Sequence, residues 1–600
     1  MEKGRVVVLD NGGATCKIGF GGEAEPVKVI PNFVAKAKGL KRPFVADLLD
    51  TCPDIKGLGV LRPVDRGYVV NWDLQGSIWD RAFSGILKVQ PSSASLLVSE
   101  PLFSLPSIQR SMDELAFEHF GFRSYLRVPA PVLAYRYETS TLLDSPPPPM
   151  PSSLASSSAV SASSASAAAS SAMALQAGCG LLVDAGFSFT HAVPIWNNKP
   201  LLHAVRRMNV GGKALTNVLK EVVSYRAWNM MDETLIMDHV KESMCLVSLF
   251  PTRHLPLARK RDTGNIFRAE YLLPDGVTLQ RGQVKDPAAV LLAVKTQEAL
   301  WEQHREEGER EETLSRRGGG EGREVGRRKK GGDRHDGRKK SGSNERAGKR
   351  EEGGEGEERG RKRGRRGGEG EREEESQEQE QGGGGGGGGG GEQDEEDEED
   401  EEDEDWDERA GRGKPGATGG GGSSGGGGAS AAAIPPGDSG SARRMAGSRG
   451  TAGGGGGSAS RDGGGGQQPE LSLASERFMV PEGLFHPSDF GVNQAGLAET
   501  IVASVSAAPR VIHPLLFSNI VLVGGSCQFP FFKERLELEL RPLVPDSLPI
   551  HISLSQSPVV SAWKGGSNLV RSGEFARRAV TKKQYEELGF ERCAELMKHS

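Results

Sequence analysis

The sequence predicts an α/β protein built as two similar halves around a cleft, and three stretches predict it. Val6-Val7-Val8-Leu9-Asp10-Asn11-Gly12-Gly13 is an apolar, β-branched run ending in a carboxylate and a glycine turn, with Lys17 returning on the next strand. Gly180-Leu181-Leu182-Val183-Asp184-Ala185-Gly186 repeats that logic later in the chain. Ile520-Val521-Leu522-Val523-Gly524-Gly525 is a buried strand that enters a helix through two glycines. Backbone N–H groups exposed by such turns cradle phosphate oxygens; Lys17 adds a point charge, and Asp10 can hold Mg²⁺ through water. Either aspartate-tipped turn alone also fits an ordinary hairpin. The pair, with a glycine platform that lets a nucleoside approach the backbone, points to a phosphate-binding cleft.

Composition adds the insertions. The 600 residues carry 75 Lys+Arg against 81 Asp+Glu, a net charge of −6 that averages over strongly segregated blocks. Most of the 83 glycines lie in one central tract. Residues 140–177 are nearly all Pro, Ser and Ala, and residues 297–470 are Gly-rich and charged. Neither has the apolar content to offset ordering entropy, so both are expected to be disordered. The remaining segments, 1–139, 178–296 and 471–600, are globular in pattern. Six scattered cysteines without CxxC pairs argue for reduced thiols rather than disulfides or a zinc site. No apolar run approaches the ~18 residues needed to span a membrane, so a soluble intracellular protein is expected.

Taken in order, Asn71 or Asp73 caps a helix carrying Ile78, Trp79, Ala82 and Phe83, and Leu96 to Glu100 is a buried strand stopped by Pro101. Ser107 to Phe120 has helical spacing, and strand Tyr125 to Val128 leads to a short helix ending near Tyr137. After the second hairpin, Val205 to Val210 reads as a strand, Gly211 to Ser224 as a helix entry and helix, and Met231 to Leu249 as a helix with Lys241-Glu242. Helices are also expected over Gly496 to Val505, Phe531 to Leu540 and Thr581 to Met597.

Outside the two insertions, these motifs resemble the actin and heat-shock-ATPase superfamily, and within it the actin-related proteins. The first phosphate loop matches Asp10 to Gly22, the second Val183 to Pro194, and the adenosine motif Val523 to Pro530. Glu476-Arg477-Phe478 through Ser488 is similar to the actin segment before that motif. Gly67-Tyr68-Val69-Val70-Asn71-Trp72-Asp73, Phe187-Ser188-Phe189-Thr190-His191 and Arg207-Met208-Asn209-Val210-Gly211-Gly212-Lys213 look most like the nuclear class called actin-related protein six. The resemblance implies an actin-like ATPase-domain fold and a cleft for ATP or ADP with Mg²⁺. Asp10 and Asp184 match the metal-side aspartates acting through water, and Lys17 the phosphate lysine. Gly12 and Gly186 belong to the two loops, Lys241 and Glu242 stand beside the nucleoside, and Gly524 and Gly525 form its platform. His191 matches the histidine near the attacking water, although such a histidine is also a common structural residue.

The departures count as much. Gly13 stands where actin has a serine that bonds the terminal phosphate, and Phe187-Ser188 where the second loop has Asp-Gly. Around Val128-Pro129-Ala130-Pro131 there is no glutamine to orient water. Phosphoryl transfer depends on such positioning, so at most a very weak ATPase is expected. The class resembled belongs to remodelling complexes of the SWR and SRCAP type, which exchange a variant histone into nucleosomes and so regulate transcription. The expected role is therefore a nuclear, non-polymerising scaffold whose partners are remodelling-complex subunits and histones or nucleosomes, with a cytoplasmic pool also compatible. The alternative is an actin-like ATP-hydrolysing protein, cytoskeletal or in another remodeller. The acidic run Glu392 to Glu408 around Trp406 is either a histone-binding stretch or a solubilising expansion. Arg327 to Lys330 and Arg361 to Arg366 are candidate nuclear-import or nucleic-acid patches.

Overall fold

The apolar runs become the centres of two six-stranded sheets, in each of which a hairpin gains a parallel strand beside its first arm. The structure, a computed structural model, describes residues 5–144, 172–226, 228–261, 264–318 and 469–599. In the first sheet Val6–Asn11 pairs antiparallel with Thr15–Phe20 and parallel with Ser95–Glu100. In the second, Gly180–Ala185 pairs antiparallel with Thr190–Trp196 and parallel with Ile520–Val523. Central strands covered on both faces need unbroken apolar sequence, which is why Val7 to Leu9 and Leu181 to Val183 are all shut from solvent. The two registers are equivalent. Asp10 lies opposite Lys17, and Asp184 lies opposite His191.

Smaller three-stranded sheets flank these: Val34–Lys36 between Phe44–Val45 and Gly59–Leu61, and Ala269–Leu272 between Gln283–Val284 and Glu470–Leu473. The chain passes between the large sheets through the helices Ala130–Asp144 and Ser561–Arg571. These two helices touch. A Cβ on Gly565 would stand 2.0 Å from Leu133 O, so only a glycine allows the backbones so close. Beside it, fully buried Trp563 donates its Nε1–H to Val8 O at 3.0 Å, tying the helix to the first sheet. Edge-to-face contacts of Phe83 with Trp79, Phe120 and Phe122 fill the core behind that sheet.

Several expected boundaries move. The first insertion was expected from residue 140, yet the helix Ala130–Asp144 runs past it, and order returns before 178, with Ala174 fully buried. The second was expected from residue 297, yet the helix Pro287–Gly318 passes straight through. Gln297 is completely buried there: its Oε1 accepts from Leu249 N–H at 2.9 Å and its Nε2 donates to Val247 O at 3.3 Å. A single buried amide at the edge of a charged tract carries no compositional signal. Glu470–Leu473, at the far boundary, is likewise a paired strand. The helix expected over Met231 to Leu249 is shorter, Thr234–Met244, because Met244 O and Leu246 N–H are taken by Arg477. That arginine, fully buried, also donates to Phe267 O at 2.8 Å and Val290 O at 3.2 Å, so Glu476-Arg477-Phe478 is a structural staple. Asn71 is the helix cap, accepting from Leu74 N–H at 2.9 Å. All six cysteines are free and buried. Among the described residues no helix is long and apolar enough to cross a membrane. The run Glu392 to Glu408 and both basic patches lie outside the described residues.

Replacing Gln297 with Leu is expected to destabilise the fold by roughly 1–3 kcal/mol, because the buried Leu249 N–H loses its acceptor. A urea unfolding midpoint equal to that of the parent would show that Gln297 is not part of the core.

Candidate functional site: a cleft between two aspartate-tipped hairpins

The two hairpin turns face a common cleft of about 470 Å³, within the range that holds a small-molecule ligand. Its first wall is held from several directions. Asp10 accepts from Ser99 Oγ at 2.5 Å and pairs with Lys17 Nζ at 3.1 Å, both side chains nearly buried. Asn11 Oδ1 receives Trp79 Nε1–H at 3.2 Å, and Asn32 Nδ2–H donates to Gly12 O at 2.8 Å. The turn is therefore set before any ligand arrives. A Cβ on Gly12 would meet Thr15 O at 2.7 Å, so the position requires a bare backbone.

The second wall is less polar. Burial and the facing Asp10 carboxylate push the Asp184 carboxyl up to about 7, partly opposed by Lys17. A buried carboxyl held up by burial and by a neighbouring carboxylate is the donor chemistry a divalent cation would relieve. His191 lines the cleft but is 1% exposed, and neither ring nitrogen has a partner among the described residues. Phe189 covers it at 4.2 Å between ring centres, while burial and Arg207 hold the ring neutral, with its pKa lowered to about 3. A shielded neutral imidazole is poorly placed to orient water. Phe187 turns one face to the Arg62 guanidinium, 4.5 Å from its ring centre.

On the side where the sequence places the nucleoside, Lys241 Nζ donates to Thr216 Oγ1 at 2.7 Å, Asp238 Oδ1 at 2.9 Å and Gly212 O at 3.2 Å. It is therefore a buried brace, whereas Glu242 lines the cleft with its side chain exposed. Gly524 has φ +94° and a Cβ there would strike Ala185 O at 2.4 Å. A Cβ on Gly525 would meet nothing within 4 Å, an open ledge on the cleft wall. Gly186 also lines the cleft, and its N–H and C=O are held by Phe189 O and Gly212 N–H. The structure thus gathers all of the sequence-derived site residues, Asp10, Gly12, Lys17, Asp184, Gly186, His191, Lys241, Glu242, Gly524 and Gly525, around one cleft. A bare-backbone cradle, a lysine and two neighbouring carboxylates, one of them with its pKa raised, fit a metal-bound phosphate chain.

Sequence reasoning did not find the contacts that latch the cleft. Arg207 Nη2–H donates to Arg66 O at 2.8 Å, and its guanidinium lies over the Tyr68 and Phe189 rings. Arg62 pairs with Asp238 at 3.6 Å, Lys213 with Asp65 at 3.3 Å, and Gly57 N–H donates to the Glu233 carboxylate at 3.1 Å. Gly67, φ +90°, meets the Phe189 ring so closely that a Cβ would lie 2.0 Å from Cε1. These pairs are far apart in sequence and carry no motif. Ser99 had a weak signal, a hydroxyl at the end of an otherwise apolar strand. The described residues also bring Glu482, His486 and Glu539 together, but Arg535 bonds both carboxylates and makes the group an ion-pair network.

Two predictions follow from this geometry. The Asp184 pKa in the folded state lies above its ordinary 3.8, so its stabilising contribution is full below about pH 4 and is lost as pH rises through about 7. In chelator, Asp184→Asn is expected to match the parent melting temperature near pH 4 and exceed it at pH 8, with Mg²⁺ narrowing the gap at pH 8. A gap that does not change with pH would remove Asp184 as the responsible group. Gly67→Ala should loosen the latch, read as faster hydrogen exchange over residues 62–70 and 186–191; unchanged protection there would mean the latch does not depend on that contact.

An actin family profile matches residues 1–598. A rice protein (Oryza sativa subsp. japonica) named actin-related protein 6 is 34% identical over 98% of this chain and 97% of its own length. An Arabidopsis thaliana protein of the same name is 33% identical over 98% of each chain, and a Drosophila melanogaster one 26% identical over 98% of each. The actin-like fold expected from the loops is the fold observed, and the likeness extends over nearly the whole chain: it belongs to the actin family, as an actin-related protein similar in full length to those numbered six in plants and insects.

Proposed function

We propose that the chain is a nuclear scaffold subunit of a chromatin-remodelling complex of the SWR or SRCAP type, which exchanges variant histone into nucleosomes. The observation that carries this reading is a cleft that keeps its phosphate-binding backbone while its water-positioning side chains are gone. Phe187 and Gly13 replace polar groups, Pro129 and Ala130 carry no side chain able to hold a water, and His191 is buried and neutral. Enzymatic phosphoryl transfer is chiefly positioning and electrostatics, so such a cleft turns over at most very slowly. The latch supports the same reading, because the halves are joined across the cleft by their own side chains.

ATP or ADP with Mg²⁺ would sit on Gly12, Lys17, Gly186, Gly524 and Gly525, with Asp10 and Asp184 on the metal side through water. Bound nucleotide would supply a polyanion that braces both loops, and this chain's residues would hold it rather than break it. Remodelling-complex subunits and histones or nucleosomes are the partners, with Glu392 to Glu408 the candidate histone contact.

Affinity purification of the full chain from nuclear extract is expected to recover a remodelling ATPase and the histone variant, and single-turnover assays with labelled ATP to show no hydrolysis at actin-like rates. Actin-like turnover, or sedimentation as filaments in Mg²⁺ and ATP, would replace this reading with the ATPase or cytoskeletal one.

A further inference from the structure

We propose that Ser188 is the specificity residue of the cleft: its hydroxyl, delivered from the second loop, stands in for the one Gly13 lacks and binds the terminal phosphate of a nucleoside triphosphate. The inference rests on the cleft being a nucleotide site, and its test separates the two.

The placement comes from the first loop's missing side chain. A Cβ on Gly13 would lie 2.6 Å from Ser188 Oγ, so this hydroxyl occupies the space from which a residue-13 side chain would emerge. The two positions are mutually exclusive for a hydroxyl at this separation, and the sequence has one of each kind. Ser188 is half-buried, lines the cleft, and its Oγ has no hydrogen-bond partner among the described residues. Its backbone is fixed on both sides. Phe187 O accepts from Lys213 N–H at 2.8 Å, and Gly186 N–H donates to Phe189 O at 3.0 Å. The Phe187 ring, stacked on Arg62 and 3.5 Å from a Cβ on Gly212, anchors the loop from behind. A free hydroxyl on an immobile loop loses little entropy when it donates to an anion. It is also a neutral donor at a place where a carboxylate would repel phosphate. A hydrogen bond to a charged group is worth a factor of roughly 10 or more in affinity, and a nucleoside triphosphate would receive it through the third phosphate that a diphosphate lacks.

The test uses the full chain stripped of nucleotide and titrated calorimetrically with MgATP and MgADP. Ser188→Gly is expected to weaken ATP by about tenfold and leave ADP within about twofold. Gly13→Ser combined with Ser188→Gly returns the hydroxyl from the first loop and is expected to recover the ATP preference, with melting temperatures confirming that both variants fold. Equal losses for both nucleotides, no loss for either, or failure of the double variant to recover would each overturn the role of Ser188 while leaving a nucleotide cleft in place. A parent chain that binds neither nucleotide would overturn the cleft reading and this inference together.

Discussion

Everything at the cleft depends on two helices touching through a glycine. With Gly565 against Leu133 O, the helices Ala130–Asp144 and Ser561–Arg571 lie closer than any side chain permits, and the chain passes between the two large sheets only through them. Gly566 faces Val8 and Leu97 on the same helix, and Trp563 is bonded to Val8 O, so the crossing is locked to the strand that ends in Asp10. The position of one hairpin turn relative to the other is thereby a consequence of packing. Asp10 and Asp184 come near enough to raise the Asp184 pKa because this crossing holds their strands.

On the opposite side the halves meet through polar contacts of very different worth. Lys213–Asp65 is about half exposed on both sides and contributes little in water. Arg62–Asp238 is largely buried, and Arg62 also lies against the Phe33 and Phe187 rings, so its guanidinium is held by packing as well as charge. Asp238 in turn receives Lys241 and Thr216, linking the latch to the brace beneath the cleft wall. Movement of one half would disturb both, so the closed form is held by the chain's own contacts.

How much was legible from sequence differs by kind of residue. The hairpins were legible because both aspartates end long buried runs and glycine follows, a local pattern that survives any tertiary arrangement. The helix through Gln297 was not, because its buried face is defined by the Val247 carbonyl and the Leu249 N–H of a loop, which composition does not register. Lys241 lines the cleft, as its position in the motif suggests, but its role as a brace follows from Asp238 one turn away and Thr216 on another helix. His191 was read as a residue near reacting water; Phe189, two residues earlier and just before the strand begins, covers it.

By itself, the sequence determined the strand runs, the glycine turns, the two aspartates and the lysine, and therefore the family, since these are set by local backbone preference and spacing. Only the tertiary structure decided the protonation of Asp184, the sealing of His191, the latch through Arg62 and Arg207, and the meeting of Ser188 with Gly13. Each of these depends on desolvation or on contact between residues far apart in the chain, and neither quantity exists until the two halves are packed.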